Sequence, residues 1–286
     1  MSRYQGRIID MHAHFFPEKV FASIWEWFGK RFWGVRYKDS PDGLVETLRG
    51  FGVERFVTYN YAHREGMAAG LNEWTAGFAQ AHPEAVPFAT VMPGDEGNVP
   101  MLEDLFDRGF FGIKIQPLVS DFYPCDERMF EVYELLLERG KVLAVHAGTA
   151  PVANQYVGAD HFEPVMERFP ELKVVVAHMG AYELDRFFGM VRTYPNLYLD
   201  TAVSFIAPAV VAEQVARGRF PPLPIPYEFD PGVLLEISDR ILFGTDSPHF
   251  PYEYRDCIDG ILALDLGEEF ERKVFHDNAR GLLGLD

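Results

Sequence analysis

The stretch Ile8-Ile9-Asp10-Met11-His12-Ala13-His14 decides the fold, and the remaining motifs line up on it. An apolar start runs straight into a His-x-His pair. On a β-strand alternate side chains share a face, so His12 and His14 would point the same way, about 6–7 Å apart along the strand. Two imidazoles at a strand end begin a divalent metal site. His-x-His alone is a weak signal, because it also occurs by chance. Three later runs strengthen it: Lys141-Val142-Leu143-Ala144-Val145-His146, Lys173-Val174-Val175-Val176-Ala177-His178 and Ile241-Leu242-Phe243-Gly244-Thr245-Asp246. Each is an apolar, strand-like run that ends in a residue able to bind metal or move a proton.

Strand ends are read near 8–12, 55–60, 86–91, 112–116, 142–146, 174–178, 197–201 and 241–246, with helical patterns between them. Strand–helix alternation with near-continuous apolar strands predicts a parallel sheet covered by helices. Eight such units in 286 residues fit a single (β/α)8 TIM barrel domain over 1–286, since about 250 residues is typical. A doubly wound open sheet is the runner-up. It gives no reason to collect chemistry at the ends of strands one, five, six and eight, whereas a barrel brings those ends to one mouth.

Two insertions interrupt the alternation. Residues 15–40, after the first strand, are crowded with aromatics and read as a packed loop, a substrate lid or a subunit interface. Residues 205–230, after the seventh, carry Arg217-Gly218-Arg219-Phe220-Pro221-Pro222-Leu223-Pro224 and read as an extended excursion.

Net charge is −17, from 26 basic and 43 acidic residues, which argues against nucleic acid as a partner. No apolar run approaches a membrane span, and MSRYQGRIID lacks a signal-peptide core. Two distant cysteines, Cys125 and Cys257, predict reduced thiols in the cytoplasm.

Together, Asp10-x-His12-x-His14, Val145-His146-Ala147-Gly148, Ala177-His178-Met179-Gly180 and Phe243-Gly244-Thr245-Asp246-Ser247-Pro248 resemble the motifs of the amidohydrolase superfamily. The match is closer to its amidohydrolase-2 branch of hydrolases, decarboxylases and hydratases, which includes aminocarboxymuconate-semialdehyde decarboxylase. The resemblance runs from Ile8 to about Leu283. It implies a (β/α)8 barrel with zinc, or another divalent ion such as Mn2+ or Fe2+, at the mouth. His12, His14, His146 and Asp246 resemble the metal ligands, and His178 resembles the sixth-strand histidine that polarises substrate or water. Three imidazoles and a carboxylate would leave the ion able to acidify water toward a pKa of about 7. Asp246 would also accept a proton.

Lys114 ends the fourth strand. It reads as a pocket cation, with bridging of a second ion as the minority reading carried by the resemblance. Asp10 either orients a ligand from one layer deeper or is a buried structural acid. Asn60, His63 and Arg64 follow strand two and are candidate substrate contacts, with a solvated loop slightly ahead. His249, three residues after Asp246, is a candidate pocket residue.

The first function expected is hydrolysis of a small ester, lactone or amide. The alternative is non-oxidative decarboxylation of an aromatic or unsaturated acid. A non-catalytic metal-binding protein is the rival from another class. The partner expected is a small molecule, with a homo-oligomer as the default assembly.

Overall fold

The computed structural model describes residues 4, 6–207, 210, 212, 213, 216 and 230–285. All eight anticipated strands are present: β1 (Ile8–Asp10), β2 (Val53–Thr58), β3 (Ala85–Ala89), β4 (Gly112–Ile115), β5 (Val142–Val145), β6 (Lys173–Val176), β7 (Leu197–Asp200) and β8 (Ile241–Leu242). Each neighbours the next in sequence, in the order β1 to β8. The strands are short and almost wholly buried, as expected of a parallel sheet covered by helices, and that is why their sequences read as apolar runs rather than alternations.

By its contacts the chain divides into two compact units, residues 1–56 with 201–286, and residues 57–200. In the first, β1 runs parallel to β2, with Asp10 level with Phe56. Backbone bonds then carry the pairing past the ends of β1 and β8. Met11 N–H donates to Phe243 O (2.8 Å), Asp246 N–H to His12 O (2.7 Å) and His14 N–H to Ser247 O (2.7 Å). These bonds fix His12, His14 and Asp246 side by side. In the second unit, Ile115 is level with Val145, Val145 with Val176, and Val176 with Leu199. The residues that follow those positions therefore emerge at one edge of the sheet.

The predicted strand ends overran. β1 stops at Asp10, β5 at Val145, β6 at Val176 and β8 at Leu242, so His12, His14, His146, His178 and Asp246 all lie beyond the last residue of their strands. Aiming several side chains at one point needs backbone that departs from the pleat. His178 (φ 57°) and Asp246 (φ 68°) both adopt the left-handed region, at a cost of about 1–3 kcal/mol each.

The 15–40 insertion is not a loop throughout. It contains helix α1 (Glu18–Arg31), which opens after Pro17 with Glu18 in the first turn and closes with Lys30 and Arg31 in the last. Both charges suit the helix dipole. Helix α2 (Pro41–Gly50) follows, capped by the Ser40 side chain accepting from Gly43 N–H. After β8, helix α3 (Tyr254–Leu262) begins with a reciprocal cap between Glu253 and Asp256. The Arg217–Pro224 segment of the second insertion lies outside the described residues.

Candidate metal centre

In the first unit three lone-pair atoms converge. His12 Nε2 lies 3.2 Å from His14 Nε2. Asp246 Oδ1 lies 2.9 Å from His14 Nε2 and 3.4 Å from His12 Nε2. Donor atoms bound to one tetrahedral ion at about 2.0–2.2 Å stand about 3.3–3.6 Å apart, so the triangle approximates one face of such a polyhedron. Imidazole protons on Nε2 can serve the edges to Asp246, whereas a divalent cation would engage all three atoms at once. The donor set of imidazole nitrogen and carboxylate oxygen suits zinc or manganese. The two histidines are buried, and the Asp246 side chain keeps 14% of its surface exposed.

Asp10 lies behind this face. It is fully buried and accepts from His12 N–H (3.0 Å), Thr245 Oγ1 (2.7 Å) and Tyr254 Oη (2.9 Å). It therefore ties together the β1 and β8 turns and helix α3, which joins its two sequence readings. As a structural acid it fixes the backbone of His12. Tyr254 is kept protonated by burial and by the neighbouring Asp10 charge.

His249 is buried in the same unit and belongs, with His14 and Asp246, to a second group of donor atoms all within 4.8 Å of one another. Its ring is stacked between His14 (centroids 4.7 Å) and Phe28 of α1 (5.2 Å), with Phe21 and Phe16 slightly further off. Trp33 Nε1 donates to the His249 carbonyl at 2.7 Å. Burial, reinforced by His14, pushes the imidazole pKa down to about 3, so His249 is neutral at physiological pH.

The second unit holds the other chemical residues. His146 and His178 meet edge to face with ring centroids 5.0 Å apart. His146 Nε2 lies 2.8 Å from Ala150 O. Only a ring that carries its proton on Nε2 can donate there, and such a tautomer presents Nδ1 as the lone-pair nitrogen. The strained His178 backbone is anchored by its N–H, which donates to Asp200 Oδ1 at 3.0 Å. Asp200 is buried at the end of β7 and was not singled out from the sequence. The signal was there, because Leu197-Tyr198-Leu199-Asp200 ends an apolar run in an acid just as the eighth run does.

The glycines of the two His-x-Gly motifs are explained by contact. A β-carbon on Gly148 would sit 2.3 Å from Ala181 O and 2.6 Å from the Gly180 carbonyl carbon. The turns carrying His146 and His178 are thus packed backbone to backbone. Gly148→Ala is expected to destabilise the protein by about 2–4 kcal/mol, because neither obstructing atom is a flexible side chain. Urea denaturation measures this, and a change below about 0.5 kcal/mol would refute the close packing.

Lys114 is buried, with its ammonium 5.0 Å from the centre of the Tyr59 ring, a cation–π distance. Asn60 is buried and donates to Thr75 on the following helix. His63 and Arg64 are exposed. The structure thus brings His12, His14, Asp246 and His249 together in one unit, and His146 with His178 in the other.

A family model for amidohydrolases matches residues 9–285. No curated protein matches the chain. Among solved structures, an uncharacterised TIM-barrel protein from Bordetella bronchiseptica is similar with a TM-score of 0.71 at 19% identity, over 98% of this chain and 99% of that one. A 5-carboxyvanillate decarboxylase from Novosphingobium aromaticivorans, complexed with manganese and 4-hydroxy-3-methoxy-5-nitrobenzoic acid, gives 0.68 at 16% identity, over 98% and 97%. A probable 2-pyrone-4,6-dicarboxylic acid hydrolase from Acinetobacter baumannii gives 0.66 at 14% identity, over 97% and 99%. These likenesses establish the TIM-barrel fold. With the family match extending over nearly its whole length, the chain belongs to the amidohydrolase family, in the amidohydrolase-2 branch, and is a metal-dependent enzyme of small molecules.

Proposed function

We propose that this enzyme holds one divalent ion, with zinc the first expectation and manganese or iron(II) the alternatives, on His12, His14, His146 and Asp246. The observation that carries this reading is the 2.9–3.4 Å triangle of His12 Nε2, His14 Nε2 and Asp246 Oδ1. The fourth ligand, His146, is supported by its position just after β5 and by a tautomer that presents Nδ1. When bound, such an ion supplies Lewis acidity, polarising a substrate oxygen and lowering the pKa of water.

The protein's own groups do the rest. Asp246 has a second carboxylate oxygen for accepting a proton, on the one partly exposed side chain of the triangle. His178 presents an imidazole on a turn pinned by Asp200, fit to donate to an oxygen on which charge develops. Lys114 supplies a buried positive charge for a substrate carboxylate, with bridging of a second ion as the lesser reading. His63 and Arg64, exposed after β2, remain candidate contacts for the outer end of a substrate, while Asn60 orders that segment through Thr75. The rings of Phe16, Phe21 and Phe28 beside His249 exclude water.

Hydrolysis of a small ester, lactone or amide is the first reaction proposed, because a carboxylate proton acceptor adjoins the metal face. Non-oxidative decarboxylation is the second, favoured by the aromatic wall beside that face. A panel of aryl esters, lactones and hydroxylated aromatic acids, incubated with metal-loaded protein, separates them. Acid release without carbon dioxide supports hydrolysis, and carbon dioxide release supports the lyase. No turnover across both series, in protein that retains metal, would count against both reactions.

The two unbonded thiols favour a reducing, cytoplasmic setting. The exposed Trp27 on α1 favours a homo-oligomer through the aromatic insertion.

A further inference from the structure

His249 presents a polar atom that nothing among the described residues satisfies. Its Nε2 is buried and has no hydrogen-bond partner among the described residues. An unsatisfied buried group of this kind costs about 1–3 kcal/mol, a penalty a bound ligand would relieve. Its surroundings are aromatic: the His14 and Phe28 rings stack with it, Phe21 meets it edge to face and Phe16 is tilted beside it. A nitrogen of the same ring lies within 4.8 Å of donor atoms of both His14 and Asp246. That distance puts the ring within reach of a second oxygen on a ligand whose first oxygen is held at the metal face. Phe16, Phe21 and Phe28 all come from the 15–40 insertion, which supplies the aromatic wall beside His249.

We propose that His249 is the specificity-determining residue of the site, a hydrogen-bond donor to the second oxygen of a planar aromatic ligand that bears two adjacent oxygen groups. The aromatic side chains of α1 and Phe16 pack against the body of that ligand. This rests on the metal-dependent reading above and holds under either of its two reactions. A neutral imidazole has one N–H to give, and Nε2 is the ring atom left without a partner among the described residues.

Two substitutions separate this role from mere packing. His249→Phe keeps a stacking ring and removes the donor. His249→Gln keeps an N–H donor and removes the ring. The probe is 2-hydroxybenzoate, with benzoate as the one-group control, titrated by calorimetry into metal-loaded protein whose metal content and circular dichroism are recorded in parallel. The wild type is expected to prefer 2-hydroxybenzoate. His249→Phe is expected to retain its metal and fold and to bind the probe about 10- to 100-fold more weakly, the loss typical of one hydrogen bond to a charged acceptor. His249→Gln is expected to stay within about threefold of wild type.

The reverse order, Phe harmless and Gln harmful, would overturn the proposal in favour of packing. Equal binding by all three proteins would also overturn it. A wild type that holds metal but shows no preference for 2-hydroxybenzoate over benzoate overturns the ligand class. If His249→Phe fails to fold, the Gln variant decides alone: a loss of tenfold or more contradicts a donor role. A wild type that binds no metal refutes the underlying functional reading instead, a failure that metal analysis registers independently of the probe.

Discussion

Asp246→Asn is expected to lower metal affinity by at least about 100-fold, the upper range seen when an outer-sphere partner is lost, since on the proposed assignment a primary ligand loses its charge. Asparagine is the informative replacement. It keeps the shape of the side chain, and it tolerates the left-handed backbone that Asp246 adopts at φ 68° better than alanine does. The fold should therefore survive, and the loss can be assigned to charge. The geometry explains the size of the effect. Asp246 Oδ1 is the one anionic atom in the triangle with His12 and His14, and two neutral imidazoles hold a dication far less firmly than two imidazoles with a carboxylate. Competition with a chromophoric chelator measures the affinity. Activity should fall with metal occupancy and recover only partly at saturating metal, because the proton acceptor is also gone.

His178→Asn is expected to behave differently, keeping its metal within error while losing about 10²- to 10⁴-fold in kcat. The residue sits on a left-handed turn whose N–H donates to Asp200, and asparagine can occupy that backbone conformation without new strain. What disappears is the imidazole that stands 5.0 Å, centroid to centroid, from the His146 ring. If its work is proton donation in the transition state, KM should change little, and the pH–rate profile should lose the limb the imidazole contributes. A variant that loses metal together with activity would instead make His178 a ligand. A variant with near-wild-type kcat would remove it from the chemistry.

The contrast between these variants follows from what the chain shows before it folds. Parallel strands buried on both faces must be apolar throughout, so runs such as Val142–Val145 and Lys173–Val176 announce themselves, and a polar residue at their ends stands out. His12, His14, His146, His178 and Asp246 were visible for that reason. Their geometry was not visible. The sequence reading put His12 and His14 on one face of a pleated strand; their rings do meet on one side, but β1 ends at Asp10 and the approach of the two ring nitrogens to 3.2 Å lies beyond it. Helix α1 was hidden by its aromatics. Phe21, Trp25, Trp27 and Phe28 blur the apolar stripe, although Glu18 at one end and Lys30 and Arg31 at the other carried the helix signal. Helix α3 carries a weak start signal, because its cap reads Glu-x-x-Asp rather than the usual Ser/Thr-x-x-Glu. The burial of His249 between His14 and Phe28 depends on residues more than 200 positions apart, beyond the reach of any local pattern.

The measurement that bears most directly on the central claim is the metal content of the purified wild-type chain, by inductively coupled plasma mass spectrometry, before and after reconstitution with zinc or manganese. The account predicts about one ion per chain, removable by chelator and restorable. A chain that takes up no divalent ion even after reconstitution would contradict it, and the close approach of His12, His14 and Asp246 would then need another cause.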